Sequence, residues 1–264
     1  MTTAERVTFL RTSFQDLLAD SGRIMAPDKT EHSARFTRCF LGAPHPMANL
    51  AIAADQTEAE FHALLDDIEG WVATHRFPVA LIVFPDVGRP ERAAWLDARK
   101  WTQLDNMPGM WLEASPTFSV GQPPAGVSVR HADDDASLAQ VVKVVTEGYP
   151  VPEVAAEFFV HGIHRSHRGS VTAANFIATV DGEPAACAAV IVRDGVAGIF
   201  CVATIERFRG RGLGALVTRA ATAHGFASGA RHALLHASPM GDPIYRKIGF
   251  QEITRIPLYG FGLG

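Results

Sequence analysis

From Glu206 to Gly214 the chain reads Glu-Arg-Phe-Arg-Gly-Arg-Gly-Leu-Gly, between an apolar stretch and a helix-period pattern. Glycines at 210, 212 and 214 let the backbone turn with its N–H groups facing one concavity. The helix that follows adds unpaired N–H groups and the positive end of its dipole. Arg207, Arg209 and Arg211 place positive charge on the same turn, and no Asp or Glu occurs between Glu206 and Asp242. A helix start that faces only solvent usually carries an acidic or capping side chain for those donors. The stretch therefore reads as a cradle for a polyphosphate.

A dinucleotide site is the sharpest rival, because Gly210, Gly212 and Ala215 satisfy a short G-x-G-x-x-A pattern. That pattern needs an acidic residue about 20 positions on to hold a ribose, and the window holds none. His161, His164 and His167 recur every third residue and invite a metal, but such spacing fans them around a helix with no carboxylate or cysteine to complete a site. No metal is expected. Cys201 reads as a small apolar filler rather than a nucleophile, and the four tryptophans, at 71, 95, 101 and 111, as core or inter-half packing.

The elements that must position the cradle follow from periodicity. Val196 to Thr204 is apolar enough for a central strand, and Leu213, Leu216, Val217, Ala220 and Ala223 then share one helix face that Gly229 ends. His232 to Ser238 predicts a strand, Asp242 to Ile248 a short helix stopped by Gly249, and Gln251 to Phe261 a last extended segment. Upstream, Val127 to Arg130 alternates as a strand, Asp134 to Glu147 and Glu153 to His164 are helical, and 171–180 with 184–192 form a hairpin around Asp181-Gly182-Glu183. The order predicts a mixed α/β fold, antiparallel at first, with a β-α-β unit at the cradle.

Glu113 to Gly126, with Ser-Pro-Thr and Gly-Gln-Pro-Pro-Ala-Gly, sustains neither helix nor inner strand and reads as a linker. It divides an expected first domain, 1–122, from a second, 123–264. The first repeats the second's later elements at an offset of roughly 150 residues, which suits a duplicated domain. Met47 to Ala53 mirrors the central strand, Ala59 to His75 the long helix, Val79 to Phe84 the next strand, and Ala93 to Gln103 with Met110 to Leu112 the last helix and strand. Thr57 and Glu60 form a capping box where the cradle would be, with Asp55 and Glu58 beside it, so this half is expected to be structural or substrate-shaping.

Composition narrows the partners. The formal net charge of -4, without a basic block outside the arginine loop, argues against nucleic acid. No apolar run reaches membrane-spanning length, and three widely spaced cysteines suit a reducing compartment, so a cytoplasmic protein with a small partner is expected. The sequence gives no warrant for an oligomeric state and leaves a homodimer open.

Val202-Ala203-Thr204 followed by Arg209-Gly210-Arg211-Gly212-Leu213-Gly214 resembles the Arg/Gln-x-x-Gly-x-Gly/Ala signature of the GNAT superfamily of N-acetyltransferases. Ser238 to Phe250, with Tyr245 shortly before Gly249-Phe250, is similar to that family's second signature. The resemblance covers about 126–264, and the first half is similar to the degenerate copy that some two-part members carry. It implies acetyl-CoA as co-substrate and direct attack by a primary amine of a small molecule or peptide. Arg209, Gly210, Arg211, Gly212, Leu213 and Gly214 would then hold the diphosphate, Val202 and Thr204 the pantetheine, and Ser238 the cofactor's edge. Tyr245 would protonate the departing thiolate.

Two departures stand out. Glu206 replaces the proline common ahead of the loop, and the strand before the cradle has no carboxylate to serve as base. Glu147, Glu153, Glu157 and His236 are the remaining base candidates, with Glu147 preferred. The missing carboxylate also motivates a second reading, a non-catalytic acyl-CoA-binding or regulatory module.

Overall fold

A computed structural model describes residues 1–84 and 90–263. Packing divides the chain into two compact units, Met1–Gly109 with Ile253–Gly264, and Met110–Glu252. The expected linker is irregular as predicted, with no helix or strand from 114 to 126. Compactness nevertheless breaks the chain elsewhere. Met110 and Trp111 are 0% and 2% exposed, and Met110 and Leu112 pack in the core of the second unit, so the end of their strand belongs there. As a boundary between duplicated domains, 122/123 is a separate matter from compactness.

The first unit begins with α1 (Thr3–Met25), capped by a Thr2–Glu5 box, and a β1–β2 hairpin (Thr30–His32, Phe36–Phe40) that the sequence pattern did not announce. β3 (Asn49–Ala53), α2 (Glu58–His75) and β4 (Val79–Val83) form a parallel strand–helix–strand unit. α3 (Arg92–Ala98) and β5 (Thr102–Glu113) follow, and β11 (Gln251–Phe261) returns to pair antiparallel with β4. Phe61, Leu65, Ile68, Leu81 and Leu96 centre its core. Trp71 and Trp95 lie against Phe40 and Phe61, and Trp101 stacks on Phe261.

In the second unit, β6 (Val127–Ala132), α4 (Asp135–Gly148), α5 (Glu153–Ser166), β7 (Thr172–Val180), β8 (Glu183–Arg193) and β9 (Val196–Thr204) precede α6 (Leu213–Ala227), β10 (His232–His236) and α7 (Asp242–Ile248). Its strands lie in the order β10-β9-β8-β7-β6. Only β10 and β9 are parallel, because α6 makes the crossover between them; β9-β8, β8-β7 and β7-β6 are antiparallel. The fold is thus mixed α/β. Ala185 to Val190 of β8 are all fully buried, which small side chains permit where helices pack on a central strand. Trp111 sits in this unit, its ring 4.9 Å from His232.

Candidate active site

The site is built where two neighbouring strands part. β10 pairs with β9 only at His232↔Val196, Ala233↔Ala197 and Leu234↔Gly198. Beyond Gly198, β9 runs on to Thr204 with a ladder on the β8 side alone. Pairing with β8 passes from Ala189↔Phe200 to Cys187↔Ala203, so Cys201 and Val202 together oppose Ala188 in a bulge. Cys201 takes φ +50 to make it. A bulge turns the strand and re-aims its side chains, and this one lies midway along the open edge. Burial pushes the Cys201 thiol up to about 12, which suits a filler and not a nucleophile at neutral pH.

The cradle follows the end of β9, after Ile205. A short turn over Glu206–Phe208 is pinned by Phe208, 7% exposed, and Gly210 (φ +75) and Gly212 (φ +78) then bring the chain into α6. Both glycines have open space where a Cβ would stand, so their backbone angle is what demands glycine. Gly212 is the N-cap, no side chain caps α6, and its first turn holds no acid. Leu213, 1% exposed, anchors the helix, while a Cβ on Gly214 would meet Thr204 Oγ1 at 3.4 Å and Ile244 Cδ1 at 3.8 Å, both ordinary contacts. Nothing in the protein needs a glycine there, which leaves room for a ligand atom against the backbone.

The arginines of the loop do three different things. Arg207 pairs with Glu147 (3.3 Å) and with Glu183, and its charge is spent on them. Arg209 donates to the carbonyls of Thr204 (3.2 Å) and Gly148 (3.0 Å), tying the loop to the ends of β9 and α4. Arg211 is exposed, lies 5.9 Å from the Phe208 ring centroid, and has no carboxylate or carbonyl partner among the described residues. The expectation that all three supply positive charge to the cradle is thereby corrected. Of the three, only Arg211 is left without a carboxylate or carbonyl partner among the described residues, while Arg209 ties the loop to β9 and α4.

The end of α4 closes on the same stretch of β9. A Cβ on Gly148 would crowd Ala203 Cβ at 3.0 Å and Thr204 N at 3.2 Å, so glycine gives α4 its close approach without displacing β9. Tyr149 then donates from its hydroxyl to the Val202 carbonyl at 2.5 Å. The sequence reading missed Tyr149. Its signal was an aromatic with a polar tip directly after a glycine at a helix end. Burial, then Cys201 and Cys187, raise its pKa. Tyr245, on α7, is 6% exposed, and its hydroxyl makes no hydrogen bond among the described residues. Burial and then Tyr149 raise the Tyr245 pKa, so its proton is held at neutral pH. Ser238 caps the turn into α7, accepting from Gly241 N at 3.2 Å.

Residues 138–250 match the model of the acetyltransferase (GNAT) family. They form a GNAT acetyltransferase domain. No curated protein matches the sequence. The chain superposes on the GCN5-related N-acetyltransferase from Kribbella flavida with a TM-score of 0.66 at 22% identity, over 91% of this chain and 93% of that one. The tandem GNAT protein from the clavulanic acid biosynthesis pathway gives 0.60 at 18% over 97% and 96%, and the GCN5-related N-acetyltransferase from Sphaerobacter thermophilus 0.62 at 12% over 86% and 76%. At such identities these likenesses carry the fold alone.

The base candidates lie apart within the GNAT domain. Glu147 is engaged by Lys143 (3.0 Å) and Arg207, and these partners hold its carboxyl below the usual range, making it a weaker base than a solitary glutamate. Glu153 and Glu157 are exposed on α5. His236, half-buried, ends β10 two residues past Leu234, the last residue paired with β9. Among the described residues no three His, Cys, Asp or Glu could hold a metal ion, and no helix is long and apolar enough to cross a membrane.

Proposed function

We propose that the GNAT domain transfers the acetyl group of acetyl-CoA to a primary amine of a small molecule or peptide by direct attack. One observation carries this reading: β9 loses its β10 partner after Gly198 and runs straight into a glycine turn and an uncapped helix start. An open strand edge offers backbone N–H and C=O groups to the amides of pantetheine; Val202 and Thr204 would lie beside it, with their carbonyls already accepting from Tyr149 and Arg209. The N–H groups of Arg209 to Gly214, with the Arg211 guanidinium, suit a diphosphate. Ser238 would border the same ligand.

Amide donors along the edge would polarise the thioester carbonyl and hold the oxyanion as the amine nitrogen bonds to its carbon. The C–S bond then breaks, Tyr245, still protonated, gives its proton to the sulfur, and the surplus proton on the newly bonded nitrogen returns through solvent to the phenolate. The amine must arrive without its extra proton. Glu147 can take it through water only if its ion pairs open; comparing Glu147→Gln with His236→Gln separates the two candidates. Cys39, Cys187 and Cys201 are unbridged, which fits a cytoplasmic setting.

Calorimetric titration tests the ligand: acetyl-CoA binds and NAD does not. Thiol release against an amine library tests the reaction and names the acceptor. The absence of a carboxylate on β9 favours one other reading, an acyl-CoA-binding module without turnover. Tight acetyl-CoA binding with no thiol release across the library would establish it.

A further inference from the structure

A second cleft opens at the other end of α6. Its volume is about 410 Å³, and its lining includes His131 and Asp133 from the end of β6, His164 and His167 from α5, Asn175 from β7 and His224 from α6. His224 lies roughly 16 Å along the helix from Leu213, so the cleft is remote from the cradle. Asn175 is 1% exposed. Its amide nitrogen donates to the Val160 carbonyl at 3.4 Å, while its Oδ1 is buried with no hydrogen-bond partner among the described residues. A buried acceptor left unpaired costs stability, so a group that donates to it is favoured there.

The imidazoles supply the opposite need. His167 Nδ1 accepts from Ala173 N at 3.1 Å, so the neutral ring carries its proton on Nε2. The rings of His131 and His224 lie 4.8 Å apart, and both lie against Phe176. Burial, then His131 and His167, lower the pKa of His224. His224 thus resists charging while the cleft is empty, and an anion placed beside its ring removes that resistance. The rings do not converge as metal ligands.

We propose that this cleft binds a small oxyanion that also bears a hydroxyl, such as a hydrogen phosphate or a 2-hydroxy carboxylate. The imidazole N–H groups take the oxyanion, and its O–H donates to Asn175 Oδ1. Asp133 is the only carboxylate in the lining and disfavours more highly charged anions. The titratable groups that face the ligand are His131 and Asp133 on β6, His164 and His167 on α5, and His224 on α6; β7 contributes none. Binding therefore takes up protons, and affinity rises as pH falls through the imidazole range.

The test is a titration of the full chain with inorganic phosphate, glycolate and acetate, followed by the side-chain NMR signals of the histidines. Coenzyme A is added in parallel samples to occupy the cradle. The signals of His131, His164, His167 and His224 should move on one saturating curve whether or not coenzyme A is present. Affinity should be about tenfold higher near pH 6 than near pH 8. Acetate, which lacks the hydroxyl, should bind about fivefold or more weakly than glycolate. Whichever of phosphate and glycolate binds more tightly identifies the source of the oxyanion. Asn175→Val should remove the preference for glycolate over acetate. If that variant does not fold, His131→Gln, at an exposed position, should reduce both the affinity and its pH dependence. Unmoved histidine signals, equal affinity for acetate and glycolate, or no change with pH would each overturn the proposal.

Discussion

Two strand–helix–strand units in this chain share a plan and differ at one end. In β3–α2–β4 the strands pair from Leu50↔Ala80 through Ala53↔Val83, the last residue of β3. In β9–α6–β10 the pairing stops at Gly198, with six residues of β9 still to run. Each connection is fixed by an arginine that donates to two carbonyls, Arg92 to Ala54 and Gln56, and Arg209 to Thr204 and Gly148. The helix starts are opposites. α2 has a complete capping box, Thr57 with Glu60, and acids at 58 and 60; α6 has a glycine N-cap and no acid. The same topology is therefore finished as a closed structural unit in one case and left with an open strand edge and an uncapped helix start in the other. Unsatisfied backbone in a well-packed unit is what a ligand can complete.

The comparison breaks most visibly at Gly212. Gly212→Glu places an acid at the α6 N-cap, as α2 has acids in its first turn, and forces a side chain onto φ +78. Acetyl-CoA affinity should fall by about a hundredfold or more, the loss of two or more charge-assisted hydrogen bonds. Calorimetry checks it, with the circular dichroism spectrum confirming the fold. Retained affinity would place the diphosphate elsewhere. Tyr245→Phe addresses chemistry instead of binding. With the proton donor gone, turnover should fall by about a hundredfold with little change in acetyl-CoA affinity. Unchanged thiol release would remove Tyr245 as the acid.

The open unit was legible because its signals are local. Val196–Thr204 and Asp242–Ile248 have the limits their residues predict, and the glycine turn needs the positive φ angles that only glycine adopts cheaply. The capping box at Thr57 was equally plain, since both partners lie within three residues. What escaped depends on distant partners. The β1–β2 hairpin is short and mostly polar in its first strand, so no period marks it. Arg207 looked like part of the cradle because its neutralising carboxylates, Glu147 and Glu183, come from other elements. The same ion pairs weaken Glu147 as a base. Tyr149 carries no motif, and its role depends on Gly148 letting α4 approach β9.

A smaller effect sharpens the contrast at the open edge. The Tyr149 hydroxyl already occupies the Val202 carbonyl, a group that pantetheine would otherwise claim. Tyr149→Phe leaves that carbonyl to water, which a ligand displaces more readily. Acetyl-CoA should bind a few-fold more tightly, on the scale of about 1 kcal/mol for one hydrogen bond. Weaker binding would mean that the hydroxyl supports the ligand rather than competing with it.

The smallest change in binding belongs to the closed unit. Thr57→Ala removes the acceptor for Glu60 N and so half of the capping box of α2. The cost is about 1 kcal/mol of stability, read as a lower urea midpoint. Because α2 already satisfies its own end groups, acetyl-CoA affinity should not change in the folded variant. A loss of affinity would mean that the first unit helps to hold the ligand, and that its capped helix is not the inert counterpart of α6.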